Sequence, residues 1–201
     1  MSIAVIDYGA GNLKSVTKAM RYLGFRADIV SDPAARRRYD ALILPGVGAF
    51  PKCMAELRRS GMDRAILRET EQKPLLGICL GMQMLLDRST ELGDTPGLGL
   101  IHGTVDRIPT ELKLPHIGWN SLRITHDNPL LRGLSEGDYV YFVHSFAARV
   151  EDPADLALTT DYGGEVAAMV AKGRVFGCQF HPEKSGDVGL EILKNFGELS
   201  K

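Results

Sequence analysis

Short apolar runs in the first half of the chain predict β-strands. Each is rich in aliphatic side chains and is followed by turn-forming residues, as strands commonly are. The runs are IAVID at residues 3–7, ADIV at 27–30, DALILPG at 40–46 and PLLGI at 74–78. PLLGI is almost continuously apolar, which is typical of a central parallel strand buried on both faces.

Segments with helical spacing separate these runs. The first has Leu13, Val16, Met20 and Leu23 on one face and ends at Gly24, the pattern of an amphipathic helix closed by glycine. Residues 52–61 and 62–72 show the same kind of periodicity. Strands that alternate with helices predict an α/β fold with a parallel sheet covered on both faces.

The second half of the chain is richer in strands and poorer in helices. Apolar, β-branched segments joined by short turns occur at residues 98–108, 118–125, 138–150, 156–160, 165–173 and 175–181. This half is therefore expected to be antiparallel or mixed, with one last helix over residues 188–199. No repeat, low-complexity segment or Pro/Ser-rich linker divides the chain, so residues 1–201 are expected to form a single domain.

Composition excludes several classes of function. The formal net charge is -1, and the densest basic run, at residues 36–38, lacks interleaved aromatic residues, so no nucleic-acid partner is expected. No targeting segment or bilayer-length apolar run is present, so a cytoplasmic protein without a membrane partner is expected. The 3 cysteines include no CxxC pair, which argues against both a disulfide framework and a zinc site. Neither a metal nor a cofactor is expected.

Cys79 stands in the pattern G-x-C-x-G, between Gly77 and Gly81 at the end of the PLLGI run. The spacing matches the G-x-S-x-G elbow, in which small residues let a strand and a helix approach while a strained turn exposes the nucleophile. The sequence MQMLLDR at residues 82–88 is expected to continue as a helix, whose N-terminal N–H groups would favour a thiolate. A buried core cysteine is the alternative, and it is the expectation for Cys53 and Cys178.

His181 is the strongest candidate for a base that activates Cys79. It follows the apolar run VFGCQF in the sequence HPEKS, at the carboxyl end of a predicted strand, where open α/β sheets build their sites. Pro182 favours an extended chain at His181, so Glu183 can lie on the same side and orient the imidazole. The alternative for HPEKS alone is a turn with a solvated charge pair.

Together these residues resemble a known family. GICLGMQ and QFHPEKS resemble the G-x-C-x-G-x-Q and H-P-E motifs of class I (triad) glutamine amidotransferases, and LILPGVGAF resembles their oxyanion strand. The resemblance covers essentially the whole chain and implies a three-layer, flavodoxin-like α/β fold with a mixed central sheet and a second, antiparallel strand set. Within the family, DYGAGNLKSV, LPHIGWN and YFVHSF look like the glutaminase subunits of imidazole glycerol phosphate synthases.

The resemblance implies a role for each motif residue. Cys79, His181 and Glu183 would hydrolyse glutamine to glutamate and ammonia through a thioester. The expected oxyanion donors are the N–H of Leu80 and one from Val47 or Gly48. The expected glutamine contacts are Gln83, Glu91, His144 and Ser145. One departure concerns this site, since the family often has tyrosine where this chain has Phe146, which removes a hydroxyl group.

The resemblance also implies a partner, a cyclase subunit with a (β/α)₈ barrel that forms a heterodimer with the glutaminase. The cyclase would use the ammonia to form imidazole glycerol phosphate and an aminoimidazole carboxamide ribotide in histidine biosynthesis. The residues expected at the interface are Asn12, His116, Trp119 and Lys184. Two alternatives stay open, a glutaminase of another synthase and a cysteine hydrolase acting on γ-glutamyl compounds.

Overall fold

The computed structural model describes residues 2–199, apart from the side chains at positions 36 and 37, so part of the basic run lies outside the described residues. The helices are α1 (Leu13–Tyr22), α2 (Phe50–Arg59), α3 (Met62–Glu69), α4 (Leu80–Gln83) and α5 (Gly186–Glu198). The first strands are β1 (Ser2–Ile6), β2 (Arg26–Val30), β3 (Ala41–Gly46), β4 (Leu75–Cys79), β5 (Arg88–Ser89), β6 (Thr95–Pro96) and β7 (Gly103–Arg107). The later ones are β8 (His116–Ser121), β9 (Arg123–Ile124), β10 (Tyr139–His144), β11 (Phe146–Val150), β12 (Leu156–Asp161), β13 (Glu165–Lys172) and β14 (Val175–Cys178).

A mixed sheet of 8 strands forms the centre of the molecule, in the order β2-β1-β3-β4-β14-β13-β12-β9. The pairs from β2 to β14 are parallel, whereas β13, β12 and β9 add in antiparallel fashion. The remaining strands form two smaller sheets, β10 with β8 and β11-β7-β5-β6. The predicted combination of a mixed central sheet with a second strand set is confirmed.

Helices cover the central sheet on both faces. Val16 of α1 and Phe196 of α5 belong to one buried cluster, together with β10 residues such as Phe142. Leu57 of α2 and Ile66 of α3 belong to the cluster on the opposite face. The strands therefore form the middle of three layers, because their side chains alternate between two buried faces. Within residues 2–199, no helix combines the length and the apolar character that crossing a bilayer would require.

The prediction that residues 82–88 are helical is wrong after residue 83. Helix α4 ends at Gln83, and the chain then folds back on itself. Backbone N–H groups of residues 98–101 donate to the carbonyls of residues 84–86. These carbonyls therefore accept hydrogen bonds from a distant segment and not from a continuing helix. The periodicity of residues 82–88 could not predict this.

Candidate active site

Cys79 occupies a strained turn between β4 and α4. Its backbone angles are φ 55° and ψ -114°, in a region that a non-glycine residue adopts only when the surrounding structure imposes it. A Cβ atom at Gly81 would lie 1.8 Å from the Leu44 carbonyl oxygen, and one at Gly77 would lie 2.7 Å from the Gly81 oxygen. Both glycines of the motif are thus required by the close approach of α4 to the sheet.

The turn leaves Cys79 at the carboxyl edge of the sheet, next to the segment that follows β14. His181 lies there with 3% of its surface exposed. Its Nδ1 atom is 2.9 Å from Glu183 Oε1, and Asn12 Nδ2 donates to the same carboxylate oxygen at 3.3 Å. The backbone is held as well, since Ser185 Oγ donates to the His181 carbonyl at 2.7 Å. These contacts fix the position of the imidazole before any substrate binds.

The surroundings of His181 favour its protonated form. Burial lowers the pKa of this imidazole, but the interactions with the Cys79 sulfur and the Glu183 carboxylate outweigh burial and raise the pKa to about 9. At neutral pH the imidazole is therefore a cation beside the sulfur, an arrangement that favours a thiolate nucleophile. The same cation can donate a proton to a leaving group.

A pocket of about 410 Å³ opens over Cys79. It is lined by all the residues expected to bind the oxyanion and glutamine, by two of the three residues expected to be catalytic and by several neighbours. The lining residues are Val47, Gly48, Cys79, Leu80, Gln83, Glu91, Pro115, Val143, His144, Ser145, Phe146, His181 and Lys184.

The segment after β3 lies directly beside Cys79, because Gly46 pairs with Cys79 in the sheet. A Cβ atom at Gly46 would lie 2.7 Å from the Gly81 N atom, so this approach also requires glycine. Among the described residues, none accepts a backbone hydrogen bond from the N–H of Val47 or Gly48. Leu80 begins α4, where a helix has no internal acceptor for the first N–H groups.

The residues expected to contact glutamine also make bonds within the protein. Gln83 Nε2 donates to the Phe146 carbonyl at 2.9 Å, and Glu91 Oε2 accepts from the Phe50 N–H at 2.7 Å. His144 Nδ1 lies 2.9 Å from the same Phe146 carbonyl. Burial lowers the pKa of His144 to about 4, so its ring is neutral at neutral pH. Ser145 is partly exposed in the pocket.

The sequence model of the glutamine amidotransferase class-I family matches residues 4–198. The chain belongs to the class I glutamine amidotransferases. This amidotransferase is 52% identical over 200 residues to the imidazole glycerol phosphate synthase subunit HisH of Caldanaerobacter subterraneus, covering 99% of this chain and 98% of the relative. The subunit of the same name from Bacillus cereus is 50% identical, covering 96% of this chain and 93% of the relative.

Solved structures show the same fold for this amidotransferase at much lower identity. A crystal structure described as a glutamine amidotransferase aligns with a TM-score of 0.76 at 22% identity, covering 97% of this chain and 98% of the other. The PurLQS structure from Thermotoga maritima aligns with a TM-score of 0.74, also at 22% identity, covering 97% of this chain and 96% of the other.

The four residues expected at the partner interface of the amidotransferase lie in different environments. Trp119 is 56% exposed on β8, and Lys184 is exposed at the pocket. Asn12 instead contacts Glu183, inside the site. His116 is buried, with 2% of its surface exposed, and its ring stacks between Phe142 and Tyr162; its place at the partner interface stays a prediction.

Two residues at the amidotransferase site escaped the sequence analysis. Ser185 bonds the backbone of His181, and Gln179 Nε2 lies 3.8 Å from the Cys79 sulfur. Strand alternation could have pointed to Gln179, since it lies two residues before His181 on the same face. Among the described residues, no group of three or more His, Cys, Asp or Glu side chains could hold a metal ion.

Proposed function

We propose that Cys79, His181 and Glu183 carry out the glutaminase reaction of an imidazole glycerol phosphate synthase, of which this chain is the glutaminase subunit. Relatives that carry this subunit name match nearly the full chain at 52% and 50% identity. The observation that supports the residue assignment is geometric. A strained cysteine and a buried, Glu-paired histidine open into one pocket.

The first half of the reaction releases ammonia. The Cys79 thiolate attacks the side-chain carboxamide carbon of glutamine, and the carbonyl electrons move to oxygen. As the tetrahedral intermediate collapses, the His181 imidazolium gives its proton to the departing nitrogen. Ammonia leaves, and a γ-glutamyl thioester remains on the sulfur.

The second half returns the enzyme to its starting state. Neutral His181 accepts a proton from a water molecule, which attacks the thioester carbon. Collapse of the second intermediate releases glutamate and the Cys79 thiolate beside a protonated imidazole. The Glu183 carboxylate contacts Nδ1 and holds the ring in the orientation that presents Nε2 to the sulfur.

Both tetrahedral intermediates carry negative charge on the former carbonyl oxygen. The N–H of Leu80 and one N–H of the Val47–Gly48 turn are the proposed donors to this oxygen. Each donor of this kind typically lowers the barrier by about 3 to 4 kcal/mol. The exposed turn can reorient because glycines flank Val47, whose side chain is 45% exposed.

Glutamine is proposed to bind in the pocket through Gln83, Glu91, His144 and Ser145. Gln83 uses its Nε2 atom inside the protein, so its oxygen is the atom that would accept from the substrate ammonium group. The side chain of Phe146 cannot supply a hydroxyl group, whereas its backbone carbonyl already holds Gln83 and His144. The family's usual tyrosine is therefore not required to position these two side chains.

The ammonia is proposed to pass directly to a cyclase subunit with a barrel fold in a heterodimer. Ammonia that escaped into water would become ammonium, which is not a nucleophile. The glutaminase and cyclase subunits therefore need to be docked, so that ammonia passes between their active sites without entering water. Trp119 and Lys184 are the surface residues proposed to meet the cyclase, in the cytoplasm. Residues 1–201 are proposed to act as one domain, since elements from both halves of the chain form the sheet and the site.

A glutaminase assay of Cys79→Ala tests the reaction. We expect complete loss of glutamate formation, with retained folding and partner binding. Cys178→Ala is the matched control, because this thiol is fully buried in β14 away from the pocket lining. Retained activity in Cys79→Ala would show that another residue is the nucleophile. Turnover of γ-glutamyl peptides without turnover of glutamine would favour the hydrolase alternative.

A further inference from the structure

We propose that Gln179 is a further catalytic residue, which donates an N–H hydrogen bond to the Cys79 sulfur and stabilises its thiolate. The inference deepens the proposed function and rests on Cys79 as the nucleophile. Gln179 directly follows β14 and is fully buried, with 0% of its surface exposed. Its Nε2 atom lies 3.8 Å from the sulfur, a distance that the large, diffuse sulfur atom allows for a hydrogen bond.

The orientation of the Gln179 amide follows from its neighbours. The Phe146 carbonyl can only accept a hydrogen bond, so Gln83 must turn its Nε2 toward it; the distance is 2.9 Å. The same Nε2 atom donates to Gln179 Oε1 at 3.0 Å. With its oxygen engaged by a donor, Gln179 presents its own NH₂ group to the sulfur. Flipping either amide would place two donors or two acceptors against each other.

The Phe146 carbonyl is itself held in place by a second donor. The Nδ1 atom of His144 lies 2.9 Å from it, and the Nε2 atom of His144 lies 3.1 Å from His116 Nδ1. Because the carbonyl accepts only, His144 carries its proton on Nδ1 and accepts from His116 at Nε2. A connected set of buried polar groups thereby fixes the donor that faces Cys79.

An amide donor complements the imidazolium on the other side of the sulfur. His181 gives up and regains its proton during each cycle, whereas the amide of Gln179 does not titrate and stays a donor at every stage. A hydrogen bond to a charged acceptor is stronger than one to a neutral acceptor, so the contact favours the thiolate over the thiol. It also favours the sulfur as a leaving group when the thioester is hydrolysed.

The test is the rate at which iodoacetamide alkylates Cys79 in the full-length chain at neutral pH, followed by mass spectrometry of the Cys79 peptide. Gln179→Met keeps an unbranched side chain of similar length but removes the donor. We expect alkylation to slow about tenfold, which is the effect of losing one hydrogen bond to a charged group. We also expect kcat for glutamine to fall by a similar factor while KM changes less than about twofold.

Two further variants separate this role from simple packing. Gln83→Met leaves Gln179 in place but removes the donor that orients it, so alkylation should slow severalfold without any substrate present. Cys178→Ala removes a buried side chain beside Gln179 and should leave the alkylation rate unchanged. If Gln179→Met fails to fold, Gln83→Met carries the test alone.

The alkylation measurement does not depend on glutaminase activity. If the chain does not hydrolyse glutamine and Gln179→Met still slows alkylation, the sulfur contact stands and the proposed function fails. An alkylation rate in folded Gln179→Met equal to that of the wild type would overturn the inference. An equal loss of rate in Cys178→Ala would overturn it too, because packing would then explain the effect.

Discussion

The imidazole of His181 lies between the Cys79 sulfur and the Glu183 carboxylate, and its properties depend on both. In the unfolded chain it would titrate near its ordinary value of 6.5, whereas in the folded protein its pKa is about 9. The folded state therefore binds this proton more tightly than the unfolded state does. The protonation of His181 therefore links the stability of the fold to pH.

The sign of that linkage gives the first prediction at the residue scale. The stabilisation from protonated His181 is fully present below about pH 6.5 and is lost as the pH rises through about 9. The free energy of unfolding should therefore fall more steeply across this window in the wild type than in His181→Ala. Denaturant unfolding at a series of pH values measures both slopes. Parallel slopes would mean that the pKa of His181 does not change on folding.

The second prediction at this scale ranks the members of the triad. His181→Ala removes the proposed acid and base, so glutaminase activity should fall on the order of 10⁴-fold or more. Glu183→Gln leaves nucleophile and base in place and should retain at least about tenfold more activity than His181→Ala. Steady-state kinetics of both variants decide the order. Equal and mild effects would argue that HPEKS is only a turn.

The turn between β4 and α4 is the element on which the site depends, and it is held by steric contacts. Three glycines, Gly46, Gly77 and Gly81, each occupy a place where a side chain would overlap backbone atoms. The strained angles of Cys79 persist because the strand, the short helix and the segment after β3 pack this closely.

At the element scale, Gly81→Ala should destabilise the protein by more than about 3 kcal/mol and abolish activity, because its methyl group would overlap the Leu44 carbonyl. Gly24→Ala is the matched control. Gly24 has φ 85° but no atom within 4 Å of an added Cβ, so only about 1 to 2 kcal/mol of backbone strain is expected. Thermal unfolding measures both. Similar losses in the two variants would show that overlap at the turn is unimportant.

The whole molecule presents an apolar patch on the outer face of the small β8–β10 sheet. Ile117 and Trp119 lie two residues apart on β8, and Tyr139 lies on the same face of β10. They are 58%, 56% and 58% exposed. Side chains of this kind are enriched at protein interfaces. His116, on the opposite face of β8, contacts His144 in the pocket wall, so one sheet joins the patch to the site.

At this scale, the isolated chain should show weak glutaminase activity that rises strongly when the cyclase subunit and its ligand are added. Trp119→Ala should lose most of this rise while its basal activity stays near that of the wild type, because Trp119 is exposed and does not line the pocket. Tyr22→Ala is the control, since Tyr22 is 80% exposed at the C-terminal end of α1. A chain fully active alone and indifferent to Trp119→Ala would contradict the coupling.

Local patterns in the sequence were sufficient for the α/β class, for the alternation of strands and helices in the first half and for the candidate roles of Cys79 and His181. These features depend on spacing and on residue type, which a linear sequence displays directly. The need for glycine at positions 77 and 81 could also be predicted, because the elbow motif requires small residues at fixed distances from the cysteine.

Tertiary structure alone decided the features that involve distant segments. Helix α4 stops at Gln83 because residues 98–101 take the carbonyls that would have continued it. His116 is buried because Phe142 and Tyr162 enclose its ring. Gln179 contacts the Cys79 sulfur, and its amide is oriented by Gln83, which lies 96 positions away in the sequence. Contacts of this kind depend on how the sheets bring remote strands together, and no local pattern records that.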